Sequence, residues 1–206
     1  MHRKLLNGKM MGILAVSLIL FMTVGVAEEE RTDAKEQGAY ANEIFARIGG
    51  SAFDFSSGVG GWSTELVVSE DGSFTGYFHD WDLGDAGDDY PDGTLYECRF
   101  SGMFAVTGMI DPYTYALRLT ALDLEGDTGV EYIVDGVKVI SAGAYGLEGG
   151  DVFMLYCPGK ETADLSEEFL EWIRMPNAWE AVPDALPFYG LYNAEEGLGF
   201  YSYAKQ

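Results

Sequence analysis

Only two cysteines, Cys98 and Cys157, and two histidines, His2 and His79, occur in the 206 residues of this chain. Two thiols without histidine neighbours do not make a four-ligand zinc site. Any Ser-His-Asp or Cys-His mechanism would have to run through His79, because His2 falls in an N-terminal leader. Basic side chains are also scarce, 12 against 34 acidic ones, for a formal net charge of −22. Phosphate backbones and anionic lipid heads need a cationic face to release their counterions, so this balance excludes nucleic acid and membrane surfaces as partners. Cations, neutral glycans, small molecules, peptides and proteins remain. A Gly-x-Ser-x-Gly elbow is absent, and Gly58-Val59-Gly60-Gly61 lacks the lysine and helix signal of a phosphate loop.

Long apolar runs are missing too, apart from the 17 residues Met10 to Val26, which sit at the short edge of what crosses a hydrocarbon core of about 30 Å. His2, Arg3, Lys4 and Lys9 precede the run, and Gly25 and Ala27 stand at minus three and minus one of a cleavage site. The pattern is that of an export signal over residues 1–27, followed by a flexible spacer, 28–38, and a single β-rich domain, 39–206. No cysteine closes the run, so an acyl-thioether anchor is not expected and the location is extracellular. Removing the leader takes away basic residues and no acid, which leaves the exported part more acidic still.

What is abundant is glycine, 27 residues, and aromatic side chains, 14% of the chain, a composition of turns and pleated strands. From Trp62 the apolar period is two. Trp62, Thr64, Leu66 and Val68 share one face, and after the Glu70-Asp71-Gly72 turn Phe74, Gly76 and Phe78 do the same. Tyr96, Cys98, Phe100, Phe104 and Val106 continue the pattern against Glu97, Arg99 and Ser101. Tyr113, Tyr115, Leu117, Leu119 and Ala121 follow after Asp111-Pro112. One-sided alternation of this kind implies antiparallel strands with water on one face.

Asp135-Gly136 between Val130–Val134 and Val137–Ile140 has the chemistry of a two-residue hairpin turn. Val152 to Cys157 is apolar on both faces. Phe188–Tyr192 and Leu198–Tyr203 make a last hairpin. Two helices are expected: a short one carrying Tyr40, Ile44 and Ile48 up to Gly49-Gly50, and one near 164–175, capped by Asp164 and bearing Leu165, Phe169, Trp172 and Ile173.

The expected fold is mainly β, an antiparallel meander closing into a lipocalin-like barrel with a helix packed outside, since closure removes sheet edges. A β-sandwich is the alternative. Gly60 and Trp62 form a G-x-W at the head of the first long strand, which resembles the opening of the lipocalin pattern. At Gly61-Trp62-Ser63-Thr64-Glu65-Leu66, Asp71-Gly72-Ser73-Phe74-Thr75-Gly76, Tyr90-Pro91-Asp92-Gly93-Thr94-Leu95-Tyr96 and Cys98-Arg99-Phe100-Ser101-Gly102 the chain resembles a group of uncharacterised exported or lipid-anchored proteins of Gram-positive gut bacteria. The resemblance runs from about Phe53 to Trp172 and implies secretion. The lipid-anchored members carry an anchor cysteine that this chain lacks.

The densest polar stretch, His79 to Tyr90, holds Asp80, Asp82, Asp85, Asp88 and Asp89 between two expected strands. Such a loop could wrap a calcium ion, the one cofactor the sequence leaves room for, or be a solvated turn. Its spacing is not that of an EF-hand, since Gly84 stands where the third ligand should be. Trp81, Tyr90 and His79 are the candidate ligand-binding residues, because exposed aromatic faces stack on sugar rings and peptide side chains. Cys98 and Cys157 are either bridged, closing a loop of about 60 residues worth roughly 4 kcal/mol, or buried as free thiols.

With no catalytic motif, the reading inclines to a secreted, non-enzymatic barrel that binds an extracellular small molecule, glycan or protein. A glycan hydrolase using a carboxylate pair, and a calcium-stabilised surface module, are the alternatives.

Overall fold

The computed structural model describes residues 35–203, so the expected leader and the spacer up to residue 34 lie outside the described residues. Helix α1, residues 35–48, begins earlier than the sequence suggested and includes 35–38, which were expected to be spacer. From Tyr40 onward the chain forms one compact unit. Gly50, at φ 81°, ends the helix as the glycine pair implied, and its N–H reaches the Val68 carbonyl at 2.8 Å.

Ten strands follow among the described residues: β1 (Ala52–Ser56), β2 (Trp62–Val68), β3 (Ser73–Asp82), β4 (Thr94–Asp111), β5 (Thr114–Leu124), β6 (Glu131–Val134), β7 (Val137–Ser141), β8 (Val152–Tyr156), β9 (Gly190–Asn193) and β10 (Leu198–Tyr203). Eight of them, β1-β2-β3-β4-β5-β8-β9-β10, pair antiparallel in chain order, and β10 pairs with β1 to close the ring. This is the expected lipocalin-like barrel, not the sandwich. The β6–β7 hairpin is an excursion from it: β5 pairs with β4 over Phe100–Asp111, then peels off, and β7 takes the same edge of β4 in parallel over Thr94–Glu97.

The alternation read in the sequence points inward over β2, β3 and the first half of β4. Leu66, Val68, Phe74, Cys98, Phe100, Phe104, Tyr115 and Leu117 are all buried. On β5 the pattern shifts. Met103 pairs with Ala121 but Phe104 with Leu119, so Thr120 is an extra residue and the interior set becomes Tyr115, Leu117, Leu119, Leu122 and Leu124. Ala121 therefore faces out, and Tyr113 lies in the turn before the strand, exposed.

Both mouths are stoppered. At one end α1 inserts Ile44, Phe45 and Ile48 into the core, and Gly72, at φ 84°, lets the chain turn against the Phe45 ring where a Cβ would come within 2.6 Å. At the other end the turn 142–148 crosses the opening. Ala144 and Leu147 are fully buried, the Thr64 hydroxyl donates to the Tyr145 carbonyl at 2.7 Å, and the Asn193 amide donates to the Gly146 carbonyl at 3.2 Å. Phe55 lies beneath this stopper, 4.8–5.2 Å in ring-centroid distance from Trp62, Tyr145, Trp172 and Phe200.

Helix α2 (Glu167–Arg174) lies outside, with Phe169 and Ile173 buried against Tyr156 and Leu186. Its N-cap is Ser166, whose Oγ accepts from the Phe169 N–H at 3.3 Å. Asp164 instead ends a single 3-10 turn, Thr162–Asp164, and pairs with Lys160. Ser166 caps because it is the extended residue directly before the helix, φ −68° and ψ 150°, whereas Asp164 lies in the 3-10 turn two residues earlier. Trp172 turns toward the barrel mouth, where its Nε1–H donates to the Gly197 carbonyl.

Candidate functional site

With the interior filled by side chains, the chemistry lies outside. Because paired residues in a sheet share a face, the register sets two rows across the outer surface: Ser56, Ser63, His79 and Glu97, and next to it Tyr201, Asp54, Glu65, Tyr77 and Arg99. The two rows are tied together. Tyr77 donates its hydroxyl to Glu97 at 2.7 Å, stacks on His79 at 5.8 Å, and carries the Arg99 guanidinium over its ring at 4.7 Å. Tyr132 of β6 donates to the other Glu97 oxygen at 3.3 Å. Burial, then the Glu97 carboxylate, pushes the Tyr77 phenol up to about 12.

Two hollows open on this face. The larger, about 580 Å³, is lined by Glu65, Tyr77, Arg99, Ser101, Asp123 and Glu125. The smaller, about 280 Å³, is lined by Asp54, Ser56, Ser63, His79, Pro176 and Tyr201. Asp54 and Glu65 stand directly opposite each other on β1 and β2, a like-charge pairing that costs stability unless a proton or ligand relieves it. Asp54 is 8% exposed, and burial raises its pKa above the usual carboxylate range despite bonds from Ser56 and Tyr201. Tyr203 bonds Glu65, and burial followed by that carboxylate takes its phenol to about 12.

Ser63, His79 and Asp54 have the residue types of a hydrolytic triad but not its order. Ser63 Oγ is 3.4 Å from His79 Nδ1, while the Asp54 carboxylate is taken by Ser56 at 2.7 Å and by Tyr201. A triad needs the acid to orient the imidazole. His79 thus belongs to the face as a polar ring. Trp81, two residues on, points the same way and is 40% exposed, in a row with Leu95, Val139 and Tyr132. Tyr90, the third candidate, is elsewhere: the Lys138 ammonium sits 4.5 Å above its ring.

The acidic stretch divides by role. Asp80 and Asp82 close β3, and Asp82 Oδ1 accepts from the Gly84 and Asp85 N–H groups. Asp85 pairs with Lys138 at 2.5 Å and accepts from Thr94, contacts that hold its carboxyl below the usual range. Asp88 and Asp89 lie in the exposed turn bridged by Gly87 and Tyr90. The segment is thereby strapped to β7, and among the described residues no three His, Cys, Asp or Glu side chains are gathered as metal ligands. Cys98 and Cys157 are both free and buried, in different surroundings: Cys98 near Glu97 and Glu148, Cys157 near Arg47 and Asp111. The bridge is not formed in this structure, and desolvation raises both thiols.

Sequence reasoning did not single out Asp54, Glu65, Tyr77, Glu97 or Arg99. The signal available was the outward half of the alternation, Glu65, Tyr77, Glu97 and Arg99, which is polar, large and rich in acceptors. Asp54 carried none, because its place beside Tyr201 depends on the pairing of β1 with β10, which joins residues far apart in the chain. No family model, curated protein or solved structure matches this chain.

Proposed function

We propose that this protein is an exported, non-enzymatic binding domain that holds an extracellular neutral glycan on the outer face of β1–β4, with the barrel serving as a rigid support. The observation that carries this reading is the contrast between an interior occupied by Phe53, Phe55, Phe104, Phe153 and Phe200 and a polar, tyrosine-bearing hollow on the outside. Sugar hydroxyls donate and accept, and the face offers both: carboxylates at Glu65, Asp123 and Glu125, the Arg99 donors, and the Tyr77 ring. A net charge of −22 turns away polyanions. The hollow is open and sheet-shaped, which suits a chain laid across it. This reading needs no cofactor, membrane or nucleic acid.

A panel of neutral plant and microbial glycans tests it. At least one should bind, and Tyr77→Ala and Arg99→Ala should abolish that binding while the melting temperature stays near that of the parent. Silence across the panel, with tyrosine and tryptophan fluorescence unchanged by added glycan, would overturn the reading.

One observation favours a second reading, the carboxylate-pair hydrolase: Asp54 and Glu65 face each other and Asp54 holds its proton above the usual range, as a general acid must. Release of reducing sugar that Asp54→Asn eliminates would favour it over simple binding.

A further inference from the structure

Closing the barrel gives every barrel strand a neighbour on both sides, and β7 has β4 and β6. Strand β6 has β7 alone. Among the described residues it is the free edge of the ten-stranded sheet. All four of its residues are exposed, and Val130, Tyr132, Ile133 and Val134 each show about half of their surface, 46–50%. Free edges are ordinarily blunted by lysine, proline or a bulge. Over Glu131–Val134 β6 has none of these and its register with β7 is regular; a bulge at Gly129–Val130, both bonded to Ser141, bounds the edge at its start.

The hairpin turn fixes which backbone groups the edge offers. Asp135 and Gly136 have φ values of 50° and 83°, the two left-handed residues of a type I′ turn, so Val134 and Val137 form the hydrogen-bonded pair that closes it. Bonded and non-bonded pairs alternate along an antiparallel ladder. Tyr132 therefore bonds inward to Val139; beyond it the Ser141 N–H reaches the Val130 carbonyl at 2.9 Å while the Ser141 carbonyl takes the Gly129 N–H at 2.7 Å. The N–H and C=O of Glu131 and Ile133 point away from β7, toward open space. These are four backbone groups in register for one more strand.

We propose that β6 accepts an extended, basic segment of another protein as an eleventh strand. Charge selects the occupant. Asp127, Glu131 and Asp135 flank the edge, Lys138 on the neighbouring strand is already held by Asp85, and the chain carries −22 overall. A second copy would set these acids against each other, whereas lysine or arginine side chains alternating with apolar ones would meet the acids and lie on Tyr132 and Val134. Main-chain bonds to Glu131 and Ile133 supply the affinity and the side-chain alternation the selectivity. This proposal does not rest on the glycan reading, although Tyr132, which donates to Glu97, borders that face.

The probe is a labelled seven-residue peptide of alternating lysine and valine, titrated into the protein by fluorescence anisotropy beside the same peptide N-methylated at alternate amides. Net worth of about 0.5–1.5 kcal/mol per bond makes the loss of two bonds about fivefold or more. The plain peptide should bind, salt should weaken it, and N-methylation should cost at least about fivefold. Ile133→Pro, which removes an outward N–H and no ladder bond, should cost as much, and Ile133→Lys should repel the peptide with the backbone intact. Equal binding of both peptides, undiminished binding to the two variants, or no binding at all would overturn the proposal. So would a concentration-dependent dimer that Ile133→Pro abolishes, since the edge would then serve a second copy.

Discussion

Replacing Phe55 by alanine removes the ring on which the far stopper rests. The side chain is fully buried and its ring lies 5.0 Å from Trp62, 5.2 Å from Tyr145, 4.8 Å from Trp172 and 5.1 Å from Phe200. Burial loss plus the cavity left behind costs about 3–5 kcal/mol for a phenylalanine truncated in a core. The upper part of that range applies, because four ring contacts of about 0.5–1.5 kcal/mol each disappear together and the turn 142–148, pinned by Thr64 and Asn193, is slow to collapse into the gap. For a chain of this size each kcal/mol moves the melting temperature by about 2–4 °C, so a fall of about 8–20 °C follows. Urea unfolding followed by near-ultraviolet circular dichroism should show a lower midpoint at unchanged slope. A loss below about 1 kcal/mol would mean that the mouth is open and wet, and the stopper argument would fail.

Thr64→Val keeps the shape but strips the Tyr145 carbonyl of its donor, and should cost about 1–3 kcal/mol in the same assay. Asp54 binds its proton more tightly folded than unfolded, so its contribution to stability is fully present below the ordinary carboxyl pKa and is lost as pH rises through the raised value. Asp54→Asn should therefore melt at or above the parent temperature at pH 7, with the difference shrinking on acidification; a parent that gains stability relative to the variant as pH rises through that window contradicts the assignment. Cys98 and Cys157 should react with a thiol reagent only on unfolding, and reduction should leave electrophoretic mobility unchanged. Lys138→Met should quicken hydrogen exchange in residues 83–93, because it releases Asp85 and the Tyr90 ring together.

The barrel was legible because its strands are neighbours in sequence as well as in space. Trp62 to Val106 shows period two with turns between, and consecutive pairing closes such a run. Three features escaped for local reasons. The Thr120 bulge shifts β5 by one residue without any glycine or proline to mark it. The choice of Ser166 over Asp164 as cap depends on backbone geometry that both residues permit. The parallel docking of β7 on β4 follows from β5 leaving that edge, which periodicity does not encode. The functional face escaped more completely. Its polar residues were visible one by one as the outward half of each strand, but their convergence depends on register, on the β1–β10 closure that brings Tyr201 to Asp54, and on the hairpin that brings Tyr132 to Glu97. The acidic stretch drew notice by composition, yet Asp82 and Asp85 spend their oxygens on the strap itself.

A neutral apolar fluorophore such as N-phenyl-1-naphthylamine, titrated into the native protein, bears most directly on whether the barrel is a packed support or a container. A full, stoppered interior predicts fluorescence that stays flat until the protein unfolds. Saturable enhancement at one equivalent, lost on filling the interior by substitution, would place the ligand inside and contradict the account.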